Sequence, residues 1–494
     1  MMINLLHPKF SKKEIQFKHR LFPVIVLPVI LIYGLLIHPM IFGGDGLPLE
    51  VIFLTATVIS VLQLFYLGYN WEEIQNGLIA KIAKGMPAIF MLFSIGLVIG
   101  SWTICGTVPM MIYWGIEIIN PKYIYIVAFI IPVIFSTCTG TSWGSAGTIG
   151  VVIIAIAQVV NANLAITAGA IVGGAYFGDK MSPLSNTTNI AAMVAEVPLF
   201  SHIRSLINTA LPATIMAVIV YFVLGFIYTP KIGANDFSAI SKTVYALKEC
   251  YNFNLFLLLP IVIVLYGSIT KKPVVPVLLT SSAVAAILAL IFQKFSFTDV
   301  IIALNKGVNI HMITWYSDIP QNLVVALQRG GLYALIDAII ICGTAFLYIG
   351  SLDIIDALPQ VVNTIFKSVK TRRATILTCL ASTAMTNALT SNQFATSFVI
   401  AGAFNSKFDA MRIPRKVLSR CLEDTGTMLE SLLPWTTTGI FMTATLGVST
   451  KLYWHWQFLS LFTFVVAAFL AITGIGCFYH EVDGLKKKKV EVKE

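Results

Sequence analysis

Charge is what this sequence has least of. Only 11% of its 494 residues are Asp, Glu, Lys or Arg, against roughly 25% in an ordinary soluble domain. Hydrophobic side chains make up 57%, and the mean hydropathy is +0.85. That balance excludes a soluble enzyme, a nucleic-acid-binding module and a disordered scaffold together. Chemistry-bearing patterns are missing too. None of the seven cysteines forms a Cys-x-x-Cys pair, and none of the seven histidines a His-Glu-x-x-His. Without a Walker loop or a glycine-rich nucleotide motif after a strand, ATP-driven pumping lacks its residues. No serine triad is visible, so no enzyme activity and no resident cofactor are expected. The cysteines sit mostly in apolar runs as soft hydrophobes. The histidines fall near span ends or in loops, where interfacial roles are expected.

What is present is apolar length. A membrane-crossing helix takes about 20 residues, so the chain can hold roughly ten or eleven. Clear runs lie at about 21–38, 47–67, 86–104, 206–228, 255–269, 273–293, 332–350 and 454–478. Four further stretches, 123–160, 165–198, 374–406 and 416–448, are apolar, then interrupted by Gly, Pro, Ser, Thr or Asn, then apolar again. The run from Leu21 has no small-residue cleavage site after it and reads as a retained anchor. The polar segment 231–254 reads as a linker.

The chain also resembles itself. Ser94–Trp102 (SIGLVIGSW) matches Thr344–Leu352 (TAFLYIGSL), and Pro109 matches Pro359 at the same offset of 250. Ser136-Thr137 matches Ser382-Thr383, and Asp179 matches Asp424, at offsets of 246 and 245. Markers in one order at nearly one offset imply two homologous halves. Their orientation follows from the excess of Lys and Arg in cytoplasmic loops. With the N-terminus inside, 24 basic residues fall inside and 8 outside, leaving Lys180 at the midplane. This works only if 123–160 and 374–406 are re-entrant hairpins, and it sets corresponding loops on opposite sides.

The expected fold is therefore an all-α polytopic membrane protein of two inverted-topology repeats. Each has about five crossings, one of them broken, and one re-entrant hairpin. The expected divisions are a cytoplasmic segment 1–20, a first repeat 21–230, an extracytoplasmic linker 231–254, a second repeat 255–480 and a basic cytoplasmic tail 481–494. Secondary transporters have this organisation, with sites near the midplane where helices break.

The chemistry is sought at those breaks. The first broken crossing carries Asp179, Lys180, Ser182, Ser185, Asn186, Thr187, Thr188 and Asn189. Its counterpart carries Glu423, Asp424, Glu430, Thr436 and Thr437, and the hairpin tips supply Thr141, Ser142, Asn387, Ser391 and Asn392. Hydroxyls, amides and unwound carbonyls make a hard-oxygen set suited to an alkali cation. Asp179, Asn186 and Asp424 are the Na+ candidates. A charge at mid-bilayer costs at least ~2.5–3.5 kcal/mol and marks function by default. The competing reading neutralises Asp179 with Lys180 and Asp424 with Arg420, and treats the hydroxyl-rich tips as capping and close packing.

Residues Gly174–Asn189 (GAYFGDKMSPLSNTTN) resemble the signature of NhaC-type Na+/H+ antiporters, a family that includes Na+-lactate/malate-H+ exchangers. Gly140–Gly144 (GTSWG) and Pro434-Trp435-Thr436 resemble its other marked stretches. Asn186 stands where the family typically has Asp, which keeps an oxygen ligand but loses a charge and a titratable proton. The resemblance implies an ion-transporter-superfamily fold in the cell membrane, exchanging Na+, with or without an organic anion such as lactate or malate, for H+; the Lys and Arg count sets both termini in the cytoplasm. The expected partners are Na+, H+, that anion and the bilayer, with no nucleic acid and a homodimer left open. A Na+- or H+-coupled carboxylate or amino-acid transporter is the alternative. A passive channel would need a continuous pore, and an embedded enzyme a nucleophile or metal constellation.

Overall fold

The computed structural model describes residues 12–230, 234–365 and 369–482. The basic tail residues 486–489 and 493, with Lys9, Lys231 and Lys367, lie outside the described residues, so their assigned sides do too. Among the described residues every regular element is helical. Eight helices are long and apolar enough to cross a membrane: Phe17–Phe42, Leu49–Tyr66, Trp71–Cys105, Pro121–Thr139, Ser142–Val159, Leu199–Ile227, Val274–Phe292 and Leu332–Asp353. Counting each of two bent pairs, Ser241–Cys250 with Leu255–Ile269 and Thr450–Trp456 with Phe458–Thr473, as one span gives up to ten among the described residues. The protein is thus a multi-pass helical membrane protein.

Local sequence explains where the helices start and stop. Trp71–Cys105 opens on a capping box, Asn70 accepting from Glu73 N and the Glu73 carboxylate accepting from Asn70 N. It closes at Gly106, whose φ of +94° only glycine adopts freely. At 35 residues it is about 52 Å long, more than the ~30 Å hydrocarbon core needs.

Burial divides the helices into two classes. Those at 17–42, 49–66, 199–227 and 274–292 show large apolar side chains outward, such as Leu36, Val58, Ile219 and Ile291, which is lipid-facing surface. Ser142–Val159 is the opposite: 83% of its apolar window is buried, so this arm forms the molecule's centre. It packs against Thr107–Ile118, Gln321–Leu327 and Leu164–Met181, and Leu164–Met181 presses in turn on Pro121–Thr139 at two glycines. A Cβ on Gly174 would lie 2.2 Å from Phe129 O, and one on Gly178 2.2 Å from Ser136 C. Only bare backbone fits there.

Two helix–break–helix tips share one local geometry. At 139–145 the helix ends on left-handed Gly140, and Thr141 caps the next by accepting from Gly144 N. At 390–396 the helix ends on left-handed Ser391, and Asn392 caps the next by accepting from Ala395 N. Each tip is closed by a hydroxyl pair six residues apart, Thr139 with Ser145 at 3.2 Å and Thr390 with Thr396 at 2.8 Å.

The segment expected as a linker carries a helix, and in two places the structure differs from the sequence reading. The linker 231–254 is helical over Ala234–Cys250. Its Thr243, Ala246, Leu247 and Cys250 are buried, a 3–4 spacing that makes one apolar face on a polar segment. Asp179 is not in unwound chain: the helix continues to Met181 and breaks at 182–185. Asp424 likewise lies within a π-helical turn, Leu422–Thr427, and the chain unwinds only after Glu430. Buried backbone keeps its internal hydrogen bonds as long as it can, and Pro183 and Pro434 set where it cannot.

Candidate functional site

The four elements that bring Asp179 its neighbours are the end of Leu164–Met181, the 182–185 break, the start of Asn186–Val194 and the first hairpin tip. Asp179 is buried, and its carboxylate is surrounded by hydroxyls. Ser142 Oγ donates to Oδ2 at 2.5 Å, and Ser185 Oγ and Thr187 Oγ1 donate to Oδ1 at 2.6 and 3.2 Å. Thr188 Oγ1 donates to the Asp179 carbonyl at 2.8 Å. Ser182 holds the break itself, donating to Thr137 O and accepting from Leu184 N. Among the described residues no Lys or Arg lies within ion-pairing distance of Asp179.

Lys180 turns the other way. Its ammonium donates to Asp424 Oδ1 at 2.6 Å, both side chains only 1% exposed, and Thr209 Oγ1 donates to the same oxygen at 2.7 Å. Arg420 Nε stands 3.8 Å from Asp424 Oδ2 while its guanidinium donates to Gly476 O. The competing reading is therefore overturned for Asp179: the adjacent lysine serves Asp424, a residue 244 positions away. For Asp424 the neutralising partner is Lys180 first and Arg420 second.

The second-half residues gather around Glu430 and the second tip. Thr437 Oγ1 donates to Ser391 O at 2.7 Å and lies 3.4 Å from Glu430 Oε1. Thr436 donates to Glu430 O and caps the following helix through Gly439 N. The halves meet here as well: Trp143 Nε1 donates to Thr438 Oγ1 at 3.2 Å, and its ring stacks on Phe441 at 4.2 Å. Glu423 and Glu430 are wholly or almost wholly buried and lie within electrostatic reach of Asp179.

Other expected residues stand apart. Asn186 and Asn189 are exposed. Asn189 donates to Pro183 O and Ser185 O, bracing the break. Thr141 and Asn392 are occupied as helix caps. Asn387 Nδ2 donates to Gln393 Oε1 at 3.2 Å, and Ser391 Oγ has no partner.

Sequence reasoning missed the stripe His202, Ser205 and Thr209, all 0% exposed, leading along Leu199–Ile227 to the Lys180–Asp424 pair. His202 Nδ1 is 2.8 Å from Ser419 Oγ, so this histidine is not interfacial. The polar residues at 3–4 spacing in an apolar helix were the available signal. Residues 140–144 also spell Gly-x-Ser-x-Gly, yet Ser142 Oγ is bonded to Asp179 rather than to a histidine. Among the described residues no group of three His, Cys, Asp or Glu is arranged to hold a metal ion. A cation would have to be held with hydroxyl and amide oxygens.

The family model described as "Na+/H+ antiporter family" matches residues 174–478. The chain is 38% identical to an uncharacterized Na+/H+ antiporter of Haemophilus influenzae over 92% of its own length and 95% of that protein. It is 31% identical to the malate-2H+/Na+-lactate antiporter of Bacillus subtilis over 90% of this chain and 93% of that one. With the Na+/H+ antiporter NhaC of Bacillus subtilis it shares 30% identity over 80% of this chain and 86% of that one.

Proposed function

The chain belongs to the Na+/H+ antiporter family, and from that premise we propose that it exchanges Na+ for H+ at Asp179, the carboxylate for which both ions compete. One observation carries this assignment: Asp179 is a buried carboxylate whose oxygens meet hydroxyls and no cation. A hydroxyl is both donor and acceptor. In the ion-free site Ser142, Ser185 and Thr187 donate to the carboxylate. When Na+ enters, each hydroxyl turns its hydrogen away and offers a lone pair, so the ligand set exists without new side chains moving in. When H+ enters instead, the carboxyl is neutral and donates its single hydrogen to one hydroxyl, while the others go on donating to it.

Lys180 and Asp424 cancel each other's charge in either state, so the charge that changes is that of Asp179. A site neutral with either ion and charged when empty crosses the membrane readily only when loaded, and that couples the two fluxes. In this reading Asp424 is the fixed partner of Lys180 rather than a Na+ ligand. Alternating access would come from rocking of the hairpins and broken helices against the outer spans. The matched tips at 139–145 and 390–396 support their descent from two repeats. The basic residues concentrated at one side support opposite insertion of those repeats and cytoplasmic termini.

The test is Na+-driven proton movement in proteoliposomes with an internal pH dye. The wild type is expected to alkalinise or acidify the lumen according to the Na+ gradient. Asp179→Asn is expected to abolish that response while still inserting. Full flux in Asp179→Asn would remove the carboxylate from its role, and no Na+-driven flux in the wild type would sink the exchange reading. The Bacillus subtilis relative named for malate and Na+-lactate supports a second reading, with an organic anion as further cargo. Parallel assays with lactate or malate inside and Na+ outside are expected to raise the flux if that anion is carried.

A further inference from the structure

Glu423 is wholly buried, 0% exposed, yet neither of its carboxylate oxygens has a hydrogen-bond partner. Other buried oxygens around the same π-turn are in the same condition. They include Thr427 Oγ1, four residues on, Asn387 Oδ1 and Ser391 Oγ of the second hairpin, Thr386 Oγ1 beside them, and Asp424 Oδ2, which faces Arg420. Gln393 fastens that hairpin to the turn: its Nε2 donates to Leu422 O at 2.8 Å, and its Oε1 accepts from Asn387 Nδ2. A Cβ on Gly426 would lie 2.2 Å from Gln393 Oε1, so the amide is seated directly on the turn.

This network fixes which amide atom is free. Gln393 Nε2 must face a carbonyl, so Oε1 faces Asn387, so Asn387 must donate with Nδ2 and keep Oδ1 unused. Glu423 Oε1, Glu423 Oε2 and Asn387 Oδ1 are therefore acceptors only. Of the unpartnered groups the Thr386, Ser391 and Thr427 hydroxyls carry one hydrogen each, so these donors cannot satisfy those three acceptor atoms and Asp424 Oδ2 as well, and leaving an acceptor bare in a buried site is costly. One proton on Glu423 removes the charge but serves a single neighbouring acceptor. A hard cation serves carboxylate, amide and hydroxyl oxygens together. Lys180, the ammonium within reach of Glu423, is committed to Asp424 and Thr209.

We propose that Glu423, Asn387, Ser391 and Thr427 form a second Na+ site, separate from the one at Asp179. A single carboxylate among neutral oxygens matches a monovalent ion. The proposal rests on the exchange reading above and adds to it a second Na+ bound in the same cycle.

The experiment is equilibrium binding of radioactive Na+ to the purified full chain, without a membrane gradient. Wild type is expected to bind two Na+ per chain, Glu423→Gln one, and Asp179→Asn one. The ion kept by Glu423→Gln also shows that the variant is folded. Ser391→Ala, which leaves every charge in place, is expected to weaken one of the two binding phases by roughly tenfold. Wild type binding one Na+, or Glu423→Gln keeping both, overturns the second site. So does a Glu423→Gln variant that binds Na+ as wild type but releases fewer protons, since Glu423 then holds H+. None of these results touches the exchange reading, which fails only in the proteoliposome assay.

Discussion

Two aspartates that occupy matched positions in the sequence end up in different electrostatic settings. Asp179 is left to hydroxyls, whereas Asp424 is bound to Lys180 with both side chains 1% exposed. Breaking a buried ion pair from one side leaves the other charge without a partner and costs ~3–5 kcal/mol. Lys180→Met or Asp424→Leu alone is therefore expected to lower the melting temperature of the detergent-purified protein sharply. Lys180→Met with Asp424→Leu is expected to recover most of that loss, because the lysine's charge is no longer stranded and Arg420 keeps its bond to Gly476 O. Recovery read by thermal unfolding would identify the pair as structural, while failure to recover would assign one of its charges another duty. The sequence showed that charges were kept where a bilayer excludes them. It did not show which charge met which, since a pairing across 244 positions depends on how the halves pack.

Helices here are positioned by what their glycines leave out. Gly178 lies against Ser136 so closely that Gly178 N donates to Ser136 Oγ at 3.1 Å, and Ser136 Oγ in turn donates to Gly174 O. Gly178→Ala places a methyl into backbone at 2.2 Å and is expected to cost about 1–3 kcal/mol or more. It should also shift Asp179 away from Ser142, with a parallel loss of Na+-driven flux. Gly140 combines a φ of +69° with a Cβ position 2.7 Å from Leu184 C. Gly140→Ala is thus expected to displace the 182–185 break and weaken the Ser185 contact. Gly402 is the internal control: it lies in a helix with nothing within 4 Å of its Cβ position. Gly402→Ala should be neutral or stabilising by up to about 1 kcal/mol, and a large loss there would discredit the steric reading of the other two. The breaks were legible as clusters of Gly, Pro and Ser, but their positions moved by several residues. Pattern marks where a helix is weak, while packing decides where it gives way.

At the scale of the molecule, the sidedness of the loops is the open prediction. Asp409 and Glu196 are gathered by Arg415 at one end, with Lys416 bound to Glu481 nearby, and that end is expected to face the cytoplasm. Single cysteines at Asp409 and at Lys242, in a background lacking the exposed Cys138, should react with a membrane-impermeant maleimide from opposite sides. In intact cells Lys242→Cys is expected to label and Asp409→Cys to label only after permeabilisation. Labelling of both from outside would overturn the orientation. The helical, multi-pass character was legible from apolar length alone. The enclosure of Ser142–Val159 by its neighbours was not, because a run of Val, Ile and Ala reads alike whether lipid or protein surrounds it.

The stacked Trp143–Phe441 pair has an optical consequence. Trp143 sits beside the Asp179 tip, and Trp435, whose Nε1 donates to Ala388 O at 2.9 Å, sits beside the Ser391 tip. Each hairpin tip thus has an indole beside it, whose emission colour responds to the local field. With the other seven of the eight tryptophans replaced by Phe, a chain keeping either indole alone would report the filling of its own tip as a spectral shift, and the order in which the two tips fill could be followed in time by rapid mixing with Na+.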